Sequence, residues 1–149
     1  MRQQPFHLVH IASHARFAPD VANPVLFTAD GRTLTMQSLR DVMSRARIRN
    51  QPLALLTLSA CETALGDDRA ALGLAGVAVR AGVRSALATL WRVEDASTAR
   101  LMQTFYHHLL EIGMSRAQAL QRAQLALLAD TAYQHPYYWA PFLLINSWL

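Results

Sequence analysis

The sequence has no lysine, only one cysteine and no long apolar run, and the last two features each exclude a class of protein. The single cysteine, Cys61, cannot form an internal disulfide, and it fits a reducing compartment such as the cytoplasm. No stretch approaches the roughly 20 consecutive apolar residues of a membrane-spanning helix, and the first residues lack the apolar core of a signal peptide. We therefore expect a cytoplasmic chain with no membrane partner.

The basic residues are all arginines, 14 in number, and the formal net charge is +4. The planar guanidinium binds phosphates well, so an arginine-rich nucleic-acid-binding protein is one functional alternative. However, the arginines are scattered, and the densest group, Arg45, Arg47 and Arg49, has no interleaved aromatic side chains on which bases could stack. We interpret this group as the solvated end of a helix, which makes nucleic acid the weakest of the candidate partners.

The length of 149 residues suits one domain with a single core. Apolar runs typical of buried strands alternate with segments of helical periodicity, which indicates an α/β fold with a mostly parallel sheet. Thr35 is an N-cap type of residue before the first helix, and Pro141 places the last strand at an edge or a bulge. The pattern predicts strands at residues 6–12, 53–58, 83–90 and 139–145, helices at 36–47, 69–81, 96–112 and 115–128, and a hairpin that closes near Asp30 and Gly31.

Residues with reactive side chains follow three of the predicted strands. His14 follows the first strand, Cys61 the second, and the segment from Trp91 to Asp95 the third. In open α/β sheets, ligands bind outside the carboxyl ends of the strands, where loops and helix amino termini converge. If the first two strands are neighbours, His14 can reach Cys61 and stabilise its thiolate. The backbone N–H groups of Ala15 and Cys61 could then donate hydrogen bonds to an oxyanion.

Each candidate also has a purely structural interpretation. Unpaired cysteines are among the most buried residues, so Cys61 can equally be a small core residue, and His14 a surface or capping histidine. Asp95 is either the N-cap of the helix that follows or a carboxylate that selects a basic substrate side chain. We predict no metal site at His7, His10 and His14, because strand alternation places His7 on the face opposite the other two.

Four segments of the sequence resemble, in order, the signature segments of the CHAT domain family. They are HIASH at residues 10–14, LSACET at 58–63, SALATLWRVED at 85–95 and HPYYWA at 135–140. Four matches in order along one chain are far more specific than any single motif. Because this family is related to the caspases, the resemblance implies a caspase-like three-layer α/β sandwich, with a mostly parallel sheet flanked by helices.

The resemblance also implies a function and the residues that perform it. It implies a cysteine peptidase that cleaves peptide or protein substrates through a thioester, with His14 and Cys61 as the catalytic dyad. No metal or organic cofactor is expected for this chemistry. The segment from Trp91 to Asp95 would border the pocket for the residue before the scissile bond.

The sequence departs from the family pattern at two places. Ala15 stands where a glycine usually follows the histidine, which limits the freedom of a loop that would carry an oxyanion donor. The strand before His14 begins near residue 6, whereas family members usually have further strands before it. We therefore expect residues 1–149 to form a single CHAT domain that lacks its first strands, with a protein partner or a second copy covering the exposed sheet edge. The alternative function is a noncatalytic scaffold or interaction module in a signalling or prokaryotic immunity assembly.

Overall fold

The computed structural model describes residues 7–12, 15–16, 25–27, 30–48, 53–59, 75–76 and 78–147. Residues 75–76 and 78–80 are helical, and no helix within the described ranges is long and apolar enough to cross a membrane. The other elements, in chain order, are β1 (Leu8–Ile11), β2 (Ala15–Arg16), β3 (Val25–Phe27), β4 (Thr33–Thr35), α1 (Met36–Ile48), β5 (Leu55–Leu58), β6 (Ser85–Thr89), α2 (Asp95–Tyr106), a π-helical turn (His107–Glu111), α3 (Arg116–Leu128), a 3-10 helix (Pro136–Tyr138) and β7 (Phe142–Asn146).

In the described part of the chain, the main sheet has four strands, in the order β1, β5, β6, β7. β1, β5 and β6 are parallel, and β7 runs antiparallel to β6. Every residue of β5 and β6 is buried, as expected for strands that are covered on both faces. Because Ile11 pairs with Leu58 and Leu58 with Ala88, the carboxyl ends of the parallel strands lie side by side. The mostly parallel α/β sheet predicted from the sequence is confirmed.

Helices cover both faces of the main sheet, which gives the three layers expected of a caspase-like fold. Residues alternate along β5, so Leu56 and Leu58 enter one core cluster while Leu55 enters the other. The first cluster also takes side chains from α1 and from the helical residues 75 and 78, and the second takes them from α2 and α3. The buried helical members are Leu39, Met43, Ala75 and Ala78 in the first cluster and Leu101, Met102, Phe105, Ala119, Leu120, Ala123 and Leu127 in the second.

β2, β3 and β4 form a separate antiparallel sheet. Asp30 and Gly31 lie between β3 and β4, and Gly31 has a φ of 78°, a left-handed conformation that glycine adopts without steric penalty. The hairpin therefore closes where the sequence predicts. β4 continues directly into α1, and the Thr35 hydroxyl accepts a hydrogen bond from the Ser38 N–H at 3.1 Å. Thr35 thus caps this helix, as predicted.

The helix predicted at residues 96–112 consists of two parts. α2 ends at Tyr106, and a π-helical turn follows before Gly113, whose φ of 76° ends the helical path. α3 then starts with a capping box, in which the Ser115 hydroxyl accepts from the Gln118 N–H and the Gln118 side chain accepts from the Ser115 N–H. The sequence predicts the end of the first helix at Gly113 and the start of the next at Ser115. It does not predict the π-helical turn, because one such turn changes the apolar periodicity too little to be recognised.

The last strand begins later than the sequence predicts. Residues 139–141 precede β7 and follow the 3-10 helix, so the predicted strand at 139–145 is wrong at its start. Pro136 favours a helical φ at the first position of a turn, and the His135 ring accepts the Tyr137 N–H at 3.2 Å. These two features make the segment turn before it becomes extended. The sequence predicts an edge or a bulge for this strand, and among the described strands β7 lies at one edge of the main sheet.

Replacing Phe105 should test whether the cluster between the main sheet, α2 and α3 is the core of the fold. The Phe105 side chain is 0% exposed, so Phe105→Ala should lower the free energy of unfolding by about 3–5 kcal/mol, as measured by urea denaturation. Leu110→Ala is the control, because Leu110 is 60% exposed and its loss should change stability by less than about 0.5 kcal/mol. Equal losses in the two variants would mean that this cluster does not stabilise the fold.

Candidate functional site

A cleft of about 460 Å³ opens at the carboxyl ends of β1, β5 and β6. Its walls come from these strand ends, from the loop that follows β6 and from the first turns of α2. Open α/β sheets bind their ligands at this position. The polar and charged side chains of the lining are His10, Ser59, Thr89, Arg92, Asp95 and Thr98.

His10 and Ser59 join the first two parallel strands within this lining. The Nε2 atom of His10 lies 2.9 Å from the Oγ atom of Ser59. The Ser59 N–H also donates to the Ile11 carbonyl at 3.1 Å, which extends the parallel pairing one residue beyond β5. His10 is exposed on its solvent side, and the partial burial of its ring in the cleft lowers the pKa below the ordinary value of 6.5, so the neutral ring predominates at pH 7. A neutral imidazole has one donor and one acceptor nitrogen, and a hydroxyl can pair with either.

Tyr106 restricts the His10 ring from the side of α2. The two ring centroids are 5.6 Å apart, and the planes are tilted by 40°. The Tyr106 hydroxyl donates to the Oγ1 atom of Thr57 at 2.9 Å, and Thr57 is the residue that pairs with His10 in the sheet. Burial raises the pKa of Tyr106, so its hydroxyl keeps its proton and remains a donor. The His10 ring is therefore held between Tyr106 and Ser59.

The loop after β6 is attached to the 3-10 helix by a reciprocal pair of hydrogen bonds. The Trp91 indole N–H donates to the Tyr137 carbonyl at 3.1 Å, and the Tyr137 hydroxyl donates to the Arg92 carbonyl at 2.7 Å. Trp91, which is predicted to border the substrate pocket, thus directs its N–H toward Tyr137. Arg92 and Val93 contribute to the lining of the cleft beside it.

Asp95 lines the cleft from the first turn of α2. The N-cap of this helix is Glu94, whose carbonyl accepts from the Ser97 hydroxyl at 2.9 Å and from the Thr98 N–H at 3.0 Å. The interpretation of Asp95 as the N-cap is therefore wrong, because α2 begins at Asp95 itself. Its charge still suits the amino-terminal end of the helix dipole. Among the described residues the Asp95 carboxylate has no hydrogen-bond or ion-pair partner.

The predicted dyad, His14 and Cys61, lies outside the described residues, and so does the backbone N–H of Cys61 that is predicted to hold an oxyanion. Each of the two lies three residues beyond the last residue of its strand, β1 or β5. Ala15, the other predicted oxyanion donor, begins β2 and pairs with Leu26 of β3. The dyad and the oxyanion donors therefore stay predictions, while the strand ends that lead to them are described.

Three residues that shape the site could not be assigned a role from the sequence. The sequence points to His10 only as a potential metal ligand, and to Tyr137 and Ser59 only as members of segments that resemble the CHAT family. Each of the three lies within a segment that resembles a CHAT signature, and that shared feature is the signal that could have identified them. Among the described residues, no group of three His, Cys, Asp or Glu side chains could hold a metal ion.

The layered sheet with a polar cleft at its parallel strand ends defines the class of protein as a caspase-like α/β domain. A family model of the CHAT domain matches residues 1–147, and the chain belongs to this family. Similar proteins include tetratricopeptide repeat protein 28 from Homo sapiens, 36% identical over 67 residues, and from Mus musculus, 34% identical over 97 residues. These stretches cover 45% and 62% of this chain but only 3% and 4% of the two relatives, so the chain matches a small part of each.

The environment of His10 predicts a dependence of stability on pH. Burial makes the folded protein bind a proton at His10 less readily than the unfolded chain does. The contribution of His10 to the free energy of unfolding is therefore fully present above the ordinary pKa of 6.5. It is lost as the pH drops through the lower pKa of the folded state. An NMR titration of the His10 ring should give a midpoint below 6.5.

The control for this prediction is His10→Gln, which keeps a polar side chain without the titrating ring. Its thermal unfolding midpoint should fall less than that of the wild type between about pH 7.5 and pH 5. Parallel curves for the two proteins, or a titration midpoint above 6.5, would contradict the assigned environment of His10.

Proposed function

We propose that this CHAT domain is a cysteine peptidase in which Cys61 is the nucleophile and His14 is the general base. The main support is the position of the cleft, which opens at the carboxyl ends of β1 and β5. The chain reaches His14 three residues after β1 and Cys61 three residues after β5. These strands are parallel neighbours, so the segments that lead to His14 and Cys61 begin side by side. A dyad formed across two strands requires this arrangement.

In the proposed reaction, His14 accepts the proton of the Cys61 thiol, and the thiolate attacks the carbonyl carbon of the scissile peptide bond. The N–H groups of Ala15 and Cys61 donate to the oxyanion of the tetrahedral intermediate. The C–N bond then breaks, the amine leaves with the proton from His14, and a thioester remains on Cys61. Water gives a proton to His14 and attacks the thioester, which releases the carboxylic acid and restores the thiol. No step needs a metal or an organic cofactor.

The cleft would receive the side chain of the residue before the scissile bond, and Asp95 would select a basic one. The Asp95 carboxylate has no partner among the described residues, and such a carboxylate binds a guanidinium or an ammonium through charge-assisted hydrogen bonds. The volume of about 460 Å³ lies within the range of small-ligand pockets. Arg92 lines the same cleft and would repel a basic side chain, so the preference depends on which of the two charges the substrate approaches more closely.

The second candidate function is a noncatalytic scaffold or interaction module, in a signalling or prokaryotic immunity assembly. Ala15 in place of the usual glycine favours it. The name of the two relatives also favours the scaffold, because tetratricopeptide repeats stack into extended binding surfaces. In this function the cleft would bind a protein segment without cleaving it, and a partner or a second copy would cover the main sheet beside β1. For either function we propose a cytoplasmic location, where a lone thiol stays reduced.

A thiol-directed acylating probe should label Cys61 at a rate that depends on His14. At pH 7, His14→Ala should lower this rate at least about tenfold, because the thiol loses the base that accepts its proton. Cys61→Ala should abolish labelling, since the chain has no other cysteine. Intact-protein mass spectrometry over a time course measures the rate.

The matched control is His7→Ala, which removes an exposed histidine from the same part of the chain and should leave the labelling rate unchanged. Equal rates for the wild type and His14→Ala would exclude the dyad. That result would favour the scaffold, with Cys61 as an accessible but unassisted thiol.

Asp95→Asn should reduce the preference for a basic residue. The test compares two peptidyl probes that differ only in an arginine or a leucine before the reactive carbonyl. The ratio of their labelling rates should fall about tenfold in Asp95→Asn, because a charge-assisted hydrogen bond becomes a neutral one. Glu94→Gln is the control, since Glu94 is the neighbouring carboxylate but does not line the cleft. The same ratio in Asp95→Asn and wild type would refute selection by Asp95.

A further inference from the structure

His10 and Ser59 connect the two strands that lead to the predicted dyad. The proposed reaction uses neither side chain. Ser59 is held on β1 twice, by its N–H to the Ile11 carbonyl and by its hydroxyl at 2.9 Å from the His10 ring. In sequence, His10 precedes His14 by four residues, and Ser59 precedes Cys61 by two. The contact therefore lies at the described ends of the two strands that precede His14 and Cys61.

We infer that His10 and Ser59 form a positioning pair, whose hydrogen bond fixes the carboxyl end of β5 on β1 and so fixes the point from which the chain continues to Cys61. This inference rests on the proposed peptidase function, because it assigns the pair to the reactivity of Cys61. The two side chains act through the backbone that they hold. They are positioning residues, and His14 and Cys61 remain the reacting groups.

The sheet itself does not need this contact. Backbone pairing between β1 and β5 already extends from Leu8 and Leu55 to Ile11 and Leu58. The His10 ring is also restrained from a second direction by Tyr106, which packs against it at a tilt of 40° and is itself hydrogen-bonded to Thr57. A ring held on two sides has few rotamers left, so it can restrict the position of Ser59.

Both side chains line the cleft, where polar groups commonly bind ligands, yet they bind each other. The neutral form of His10 predominates at pH 7, because its pKa is lowered. The pair therefore adds no full positive charge that would attract the Cys61 thiolate. Its effect on the thiol must come from geometry, which distinguishes it from the direct effect of His14.

The rate of alkylation of Cys61 by iodoacetamide, measured from about pH 5 to pH 10, tests this pair because the chain has a single thiol. In His10→Ala and Ser59→Ala, we expect the apparent pKa of the thiol to rise and the rate at pH 7 to fall roughly three- to tenfold. His10→Phe, which keeps the ring packing without the hydrogen bond, should behave like His10→Ala. His10→Gln and Ser59→Thr, which keep a hydrogen-bonding group, should restore most of the rate.

Two controls separate position from stability. The alkylation rates in urea should be equal for all variants, and their circular dichroism spectra should match that of the wild type. The double variant His10→Ala/Ser59→Ala should react no more slowly than the slower single variant, because both changes remove the same hydrogen bond. Additive losses would overturn the inference, since independent effects add.

The result for His14→Ala distinguishes this inference from the proposed function. A shifted pH profile in His14→Ala, with wild-type profiles in the His10 and Ser59 variants, would overturn the positioning pair and leave the dyad intact. Shifted profiles in the His10 and Ser59 variants, with none in His14→Ala, would uphold the pair and refute the dyad.

Discussion

The parallel pairing of β1, β5 and β6 is the constraint on which the rest of the structure depends. It brings three strand ends to one side of the sheet, and the cleft opens there. The register is fixed by burial, because β5 is covered on both faces and Thr57 is its polar residue. A slip by one residue would move the Thr57 hydroxyl away from Tyr106 and into the opposite apolar cluster, leaving a buried hydroxyl without a partner.

Hydrogen bonds join the four family-like segments in two pairs around this cleft. The segment at 10–14 meets the segment at 58–63 through His10 and Ser59. The segment at 85–95 meets the segment at 135–140 through Trp91, Arg92 and Tyr137. Each bond needs a suitable residue on both of its segments, which gives a physical reason for the four segments to occur together. On one side the cleft is thus bounded by the contact between β1 and the end of β5. On the other side it is bounded by the loop after β6, which is hydrogen-bonded to the 3-10 helix.

Membership of the CHAT family defines the fold of this chain, whereas its activity depends on particular side chains. The peptidase and the scaffold would use the same cleft and the same charged lining of Arg92 and Asp95. They differ only in whether an imidazole and a thiol meet beside it. A fold of this kind can therefore lose catalysis and keep binding, because a binding cleft and a reacting pair of side chains are separate requirements.

Local patterns are enough to predict the buried strands, the hairpin turn at Gly31, the Thr35 cap and the helix stop at Gly113, because each depends on residues close in sequence. They also predict that a site lies at the carboxyl ends of the parallel strands. They fail at the start of β7, where a turn at residues 139–141, directly after the 3-10 helix, replaces the first residues of the expected strand. The contacts that shape the cleft join residues 46 and 49 positions apart, so their partners become visible only when the strands and loops are placed in space.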